Sequence, residues 1–156
     1  MIGIKNILIT HSANTWSASD NTLRTIFSSP IKSNETIKYK VNIIVPSTWT
    51  GAIGFQWQIN CPAFIFFKQS SFWFARSSGN VGTGAFGRID IRATNSLLQT
   101  NFVGGGSSSR SIQVIFSIKN NTTAGTVDFQ FAPFANTGTV TIQDGQTMEI
   151  TNFGAI

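Results

Sequence analysis

The feature that most constrains this chain is an alternation of apolar and polar residues with a period of two, repeated in one stretch after another. From Thr36 to Ile43 the odd positions are Ile37, Tyr39, Val41 and Ile43, while Lys38, Lys40 and Asn42 fill the even ones. Successive strand side chains point to opposite faces, so such a stretch buries one face and wets the other. Phe55, Trp57 and Ile59 alternate with Gln56, Gln58 and Asn60 in the same way, and Ile89 and Ile91 lie among Arg88, Asp90 and Arg92. Further runs are Ile112, Val114, Phe116 and Ile118, then Val127, Phe129 and Phe131, and finally Met148 and Ile150. Turn-forming residues separate them: Ser29-Pro30, Ser47–Gly51, Ser77–Asn80, Gly104–Ser109, Asn120–Gly125, Asn136–Gly138 and Gln143–Gly145.

This pattern predicts an all-β chain with little or no helix and about eight to ten strands. Short links without crossover helices require antiparallel pairing. An antiparallel two-sheet sandwich of jelly-roll type is expected rather than an immunoglobulin-like one, whose Cys, Trp, Cys spacing is absent. Only residues 94–103 leave a single helical turn open beside a strand. With 156 residues the chain suits one domain with a sizeable core. The reading divides it into residues 1–15, an N-terminal strand or docking arm, and 16–156, a single jelly-roll domain.

Charged residues make up only 11% of the chain, against roughly 25% in ordinary soluble domains, and leave a surface of Ser, Thr, Asn, Gln and Gly. Such a surface suits virion, secreted or assembled proteins. The net charge of +5 comes from 11 Lys and Arg against 6 Asp and Glu, with no basic run. An acidic partner surface is therefore expected and specific nucleic-acid binding is not. The longest apolar run, Ala63–Phe67, stops at Lys68, too short for a membrane span. The opening MIGIKNILIT lacks the pattern of a signal peptide, so a soluble chain without membrane insertion is expected.

Catalysis finds few candidates. His11 is the only histidine and lies in a polar segment, away from any evident nucleophile. The six carboxylates, Asp20, Glu35, Asp90, Asp128, Asp144 and Glu149, are spread singly, which nominates neither a glycosidase pair nor a calcium site. Cys61 is the only cysteine, so neither an internal disulfide nor a multi-cysteine metal site is available. Gly104–Gly106 neither open a helix nor precede a Lys, unlike a phosphate loop. The expectation is a non-enzyme with no catalytic residues, metal or cofactor.

Interaction surfaces are the alternative. Phe64–Phe67 and Phe72–Phe74 are apolar at consecutive positions, and Ile115 interrupts the polar face of its stretch. Both strand faces there avoid water, either beneath a loop or at a subunit contact. Phe66, Phe67, Phe72, Phe74 and Ile115 are accordingly oligomer-interface candidates, with a homotrimer as the expected assembly. Trp57 and Trp73 read as structural. Trp16 and Trp49 stand in polar contexts and are candidates for contact with a receptor, the alternative being loop residues folded back over the sandwich end.

Three segments carry a resemblance. They are Ser33–Tyr39, Gly54–Ile59 leading to Pro62-Ala63, and Ala124–Ala132 followed by Thr139–Ile142 and a last turn and strand. From about Asn34 onward the chain resembles a domain found in small structural and tail-associated proteins of tailed phages. It departs from that pattern at Pro133-Phe134 and ends without the usual basic residue. The resemblance implies a jelly-roll virion component, made in the host cytoplasm and present in many copies. One role it implies is capsid decoration, in which Ile2, Ile4, Ile7 and Ile9 dock on the phage major capsid protein or another virion protein. A second is the receptor-binding tip of a tail fibre or spike, with Trp16, Trp49 and the 104–109 loop against a host surface glycan. A major capsid protein, which calls for a basic arm not found here, and a lectin-like module outside virions are the further alternatives.

Overall fold

The computed structural model describes residues 5–10, 14–17, 19–45, 53–62, 64–75, 86–90, 98–102, 110–134, 139–142 and 144–155. Among them are twelve strands and no helix: β1 (Lys5–Thr10), β2 (Asn14–Trp16), β3 (Arg24–Ile31), β4 (Glu35–Val45), β5 (Ile53–Asn60), β6 (Phe64–Ala75), β7 (Phe86–Asp90), β8 (Leu98–Phe102), β9 (Arg110–Asn120), β10 (Gly125–Phe134), β11 (Val140–Ile142) and β12 (Thr147–Ala155). The stretch open to helix or strand thus contributes β8. Ten strands form two main sheets, in the orders β1-β12-β4-β9-β6-β7 and β3-β10-β5-β8, and the three-residue β2 and β11 form a separate ribbon.

The pairings identify the fold directly. β1 pairs with β12, β3 with β10, β4 with β9 and β5 with β8, all antiparallel. Outermost strands pair with each other and the pairs nest inward, as in a long hairpin rolled into two sheets. That nesting is the jelly roll. β6 and β7 are an insertion between β5 and β8 that extends the larger sheet beyond β9. Of residues 1–15, expected as an N-terminal strand or docking arm, 5–10 form β1 at the end of the larger sheet and 14–15 enter β2.

The alternating residues meet between the sheets. Ile37, Tyr39, Val41 and Ile43 from β4 and Ile112, Val114, Phe116 and Ile118 from β9 are buried, as are Phe55, Trp57 and Ile59 from β5 and Val127, Phe129 and Phe131 from β10. Tyr39 stacks on Phe116 with ring centroids 4.7 Å apart, and Phe55 on Phe131 at 5.5 Å. Burying each such side chain contributes about 1.5–3 kcal/mol. A bulge in β3 breaks its parity: Phe129 lies opposite Phe27 and Gln130 opposite Thr25, so Ile26 is extra and both Ile26 and Phe27 are buried. At the far end buried Asn120 donates from Nδ2 to the carbonyls of Lys32 (2.8 Å) and Thr123 (2.7 Å), tying the β3–β4 and β9–β10 turns together.

Candidate interaction surfaces

The outward face of the six-stranded sheet is built by the polar half of the alternation. Register aligns Leu8, Glu149, Lys40, Ile115 and Ser70 in one row across five strands. The next row toward the β3–β4 turn holds Lys38, Ser117 and Lys68, and Lys119 follows beside Thr36 and Phe66. Four lysines dispersed along the sequence thus occupy neighbouring positions on one face. Lys40 Nζ bonds Glu149 Oε1 at 3.1 Å, with both side chains substantially exposed. Asn42 donates to Thr147 Oγ1 (3.4 Å) and accepts from Gln113 Nε2 (2.8 Å), so a side-chain ladder crosses three strands.

Apolar residues share this face. Ile44 is 53% exposed, and Ile115 is half-buried between the Lys40 and Ser70 positions. Phe72 is in register with Gln113 and Phe74 with Ser111, positions of the outward face, as is Phe66 with Lys119. Phe67, next in the strand, takes the position opposite the buried Ile118, and the register shift between Phe64 and Phe66 sets which of the two positions lies outward. By register, the positions of Phe66, Phe72, Phe74 and Ile115 align on the outward side and that of Phe67 does not.

Trp16 is a correction to the sequence reading. It is fully buried, because β2 pairs with β11 and sets Trp16 opposite buried Val140. Its ring meets Phe131 edge-on at 6.0 Å, and the Arg24 guanidinium lies 5.0 Å from its centroid. Its Nε1 donates to the Thr22 carbonyl at 3.0 Å. No ring face is left for a receptor sugar, so Trp16 is a packing residue with a satisfied polar atom. Arg24 is held by Asp20 at 2.7 Å and donates to the Thr15 carbonyl. The Asp20 carboxyl also accepts from the Thr22 backbone N–H at 3.0 Å, and that bond, with the Thr22 hydroxyl and Arg24, holds it below the ordinary carboxylate value. Trp49, the other receptor candidate, lies outside the described residues, as do His11 and the 104–109 loop.

The free edge at β1 is the third surface. Ile7 and Ile9 stand opposite Ile150 and Met148, on the core side, whereas Leu8 stands opposite Glu149 on the outward side. Ile9 packs against the core, but Ile7 is 40% and Leu8 61% exposed. A groove of about 350 Å³ runs between this edge and β3, with Ile7, Ile9, Ile37, Ile150 and Pro30 as its apolar wall and Lys32 and Glu35 near its end. Ile2 and Ile4, the other docking candidates, lie outside the described residues.

The carboxylates serve the framework. Glu35 accepts from the Lys32 backbone N–H (2.7 Å) and from Asn152 Nδ2 (2.9 Å), and Asp128 accepts from the Ser28 hydroxyl at 2.7 Å. With Asp20 on Arg24 and Glu149 on Lys40, four of the chain's acids shape turns and sheet. Burial pushes the half-buried Cys61 thiol up to about 11, which keeps it protonated and unreactive at neutral pH. No group of three or more His, Cys, Asp and Glu able to hold a metal occurs among the described residues.

No family model matches the chain. No curated protein matches it either. Among solved structures, the chain is similar to the Yersinia pseudotuberculosis-derived mitogen at 10% identity and a TM-score of 0.42, covering 72% of this chain and 86% of that one. It is also similar to TmCBM61, solved in complex with β-1,4-galactotriose, at 10% identity and a TM-score of 0.40, covering 83% and 87%. A third is the enzymatically active domain of bacteriophage CBA120 tailspike protein 4, at 10% identity and a TM-score of 0.38, where 83% of this chain spans 19% of that one.

Proposed function

We propose that this protein is a non-enzymatic structural component of a phage virion, a decoration protein that binds the capsid surface as a homo-oligomer, with a trimer as its expected form. The observation that carries the reading is the outward face of the six-stranded sheet. There the positions of Lys38, Lys40, Lys68 and Lys119 gather around Ile115, on the face that also carries exposed Ile44, with Glu149 in the row of Lys40. A six-stranded face that combines cations with apolar residues suits another protein surface of acidic character better than a buried small molecule. The sandwich interior behind it is filled by apolar side chains. The resemblance of the Ala124–Ala132 segment and its sequel to tailed-phage structural domains supplies the virion context.

Cosedimentation of the purified chain with undecorated capsids of the phage that encodes it tests the reading. Saturable, stoichiometric binding that weakens with salt is expected. Absence of binding, together with retention on host surface glycans, moves the protein to the receptor-binding tip or lectin-like class.

A further inference from the structure

We infer that β1 is a two-fold pairing edge, through which a second copy of this chain extends the six-stranded sheet across the subunit boundary. The starting observation is that the exposed large apolar residues among those described are Ile7, Leu8 and Ile44, and two of them are consecutive on the edge strand. Consecutive strand residues point to opposite faces. A flat partner laid on either face of the sheet covers one of them and leaves the other wet. A strand added along the edge covers both, because its own side chains alternate in the same way.

Among the described residues the β1 edge has no further strand beside it, and it lacks the guard that its counterpart carries. Across the groove, the β3 edge carries exposed Pro30, and Thr25 and Ser28 are its other exposed residues. Proline and charges are the usual means by which a free edge repels another strand. Between Asn6 and Thr10 β1 has neither.

The occupant follows from the strand's self-complementarity. Antiparallel partners keep side chains on a common face when their residue numbers share parity, and a two-fold axis at Leu8 satisfies this. Leu8 then meets Leu8 of the second copy, Ile7 meets Ile9 on the core side, and Asn6 falls opposite Thr10. Apolar residues meet apolar ones and polar meet polar throughout. Charge agrees as well: a two-fold sets residues against copies of their own strand, where a charged residue would meet like charge, and the one charged residue of β1, Lys5, lies beyond the paired stretch. Ile9 of the second copy would close the groove beside Ile7. This contact runs along the sheet edge, meets the outward face only at Leu8, and does not depend on capsid binding.

Sedimentation equilibrium of the full chain over a range of concentrations tests it, with a Leu8→Lys variant in parallel. Leu8 is outside the core, so the variant keeps the fold, which far-ultraviolet circular dichroism checks. The wild type is expected to form an assembly of at least twice the 16.9 kDa chain, and L8K to lower the mass of that assembly by removing the two-fold contact. A second measurement reads the register. Under mild oxidation L8C is expected to yield a disulfide-linked dimer, whereas N6C, about four residues from its copy along the strand, is not. A wild type that stays monomeric, an L8K assembly of unchanged mass, or equal cross-linking of L8C and N6C each overturns the inference. A wild-type trimer that binds capsids, and whose mass Leu8→Lys leaves unchanged, would overturn it while leaving the proposed function intact.

Discussion

Strands β4 and β9 present two faces made from the same residues taken alternately. The inward set, Ile37 to Ile43 and Ile112 to Ile118, is at most 2% exposed. Their immediate neighbours Lys38, Lys40, Asn42, Ile44, Gln113, Ile115, Ser117 and Lys119 are half-buried or exposed. Nothing in backbone geometry separates the two sets, so the difference lies in what each face must exclude. The inner face has to fill a closed space against β5 and β10, which fixes size and shape. The outer face has no such space to fill, which leaves its composition free to serve recognition.

The largest expected effect breaks the comparison from the inside. Phe129 is fully buried in β10, where it faces the larger sheet. Phe129→Ala removes a large side chain that its neighbours cannot replace and is expected to cost about 3–5 kcal/mol, read as a lower urea midpoint with an unchanged slope. Lys38→Ala, on the wet face, is expected to stay within about 0.5 kcal/mol. Similar losses for the two would mean that the faces do not differ in the way argued.

The inner face was legible in the sequence because the alternation that encodes it is local. The residues of β4, β5, β9 and β10 read there as apolar are the ones that meet between the sheets. What escaped is what depends on distant pairing. The polar neighbours of Trp16 suggest a loop, yet its burial comes from β11, more than a hundred residues later. The parity break at Ile26 and Phe27 follows from a bulge against β10, which no residue of β3 announces by itself. Phe66 and Phe67, as consecutive residues, must take opposite faces, but which of the two positions lies outward is set by the register shift near Phe64. The same logic hid the basic face, since Lys38, Lys68 and Lys119 become neighbours only when β4, β9 and β6 are aligned.

A smaller loss is expected where two turns touch. A Cβ on Gly125 would sit 2.5 Å from Cγ of Pro62, a ring that cannot swing aside. Gly125→Ala is expected to cost about 1–3 kcal/mol through the displacement it forces, measured by the same unfolding curves. A neutral result would show that the β9–β10 turn yields as easily as a surface loop and belongs with the permissive face.

Asp20 sharpens the comparison through pH. Its carboxyl is held below the ordinary value of 3.8, first by the Thr22 backbone N–H and then by the Thr22 hydroxyl and Arg24. A depressed carboxylate stabilises the fold above its unfolded-state value and loses that contribution as pH falls through the folded one. The stability advantage of wild type over Asp20→Asn is therefore expected at neutral pH and to shrink below pH 3.8. A constant difference across that range would assign the effect of the substitution to shape and not to charge.

A small effect on stability is expected where the effect on recognition is greatest. Lys40 and Glu149 form an ion pair 3.1 Å long whose side chains are 37% and 50% exposed. Water and salt screen such a pair, so Lys40→Ala is expected to change stability by no more than about 1 kcal/mol. It also removes a cation from the centre of the row that runs from Leu8 to Ile115 and leaves Glu149 uncompensated there. Against an acidic surface both changes act in the same direction, so capsid binding should weaken several-fold and lose part of its salt dependence. Folding and binding would then respond to opposite faces of one strand. Unchanged binding by Lys40→Ala would detach function from this face and return the search to the loops at the sandwich ends.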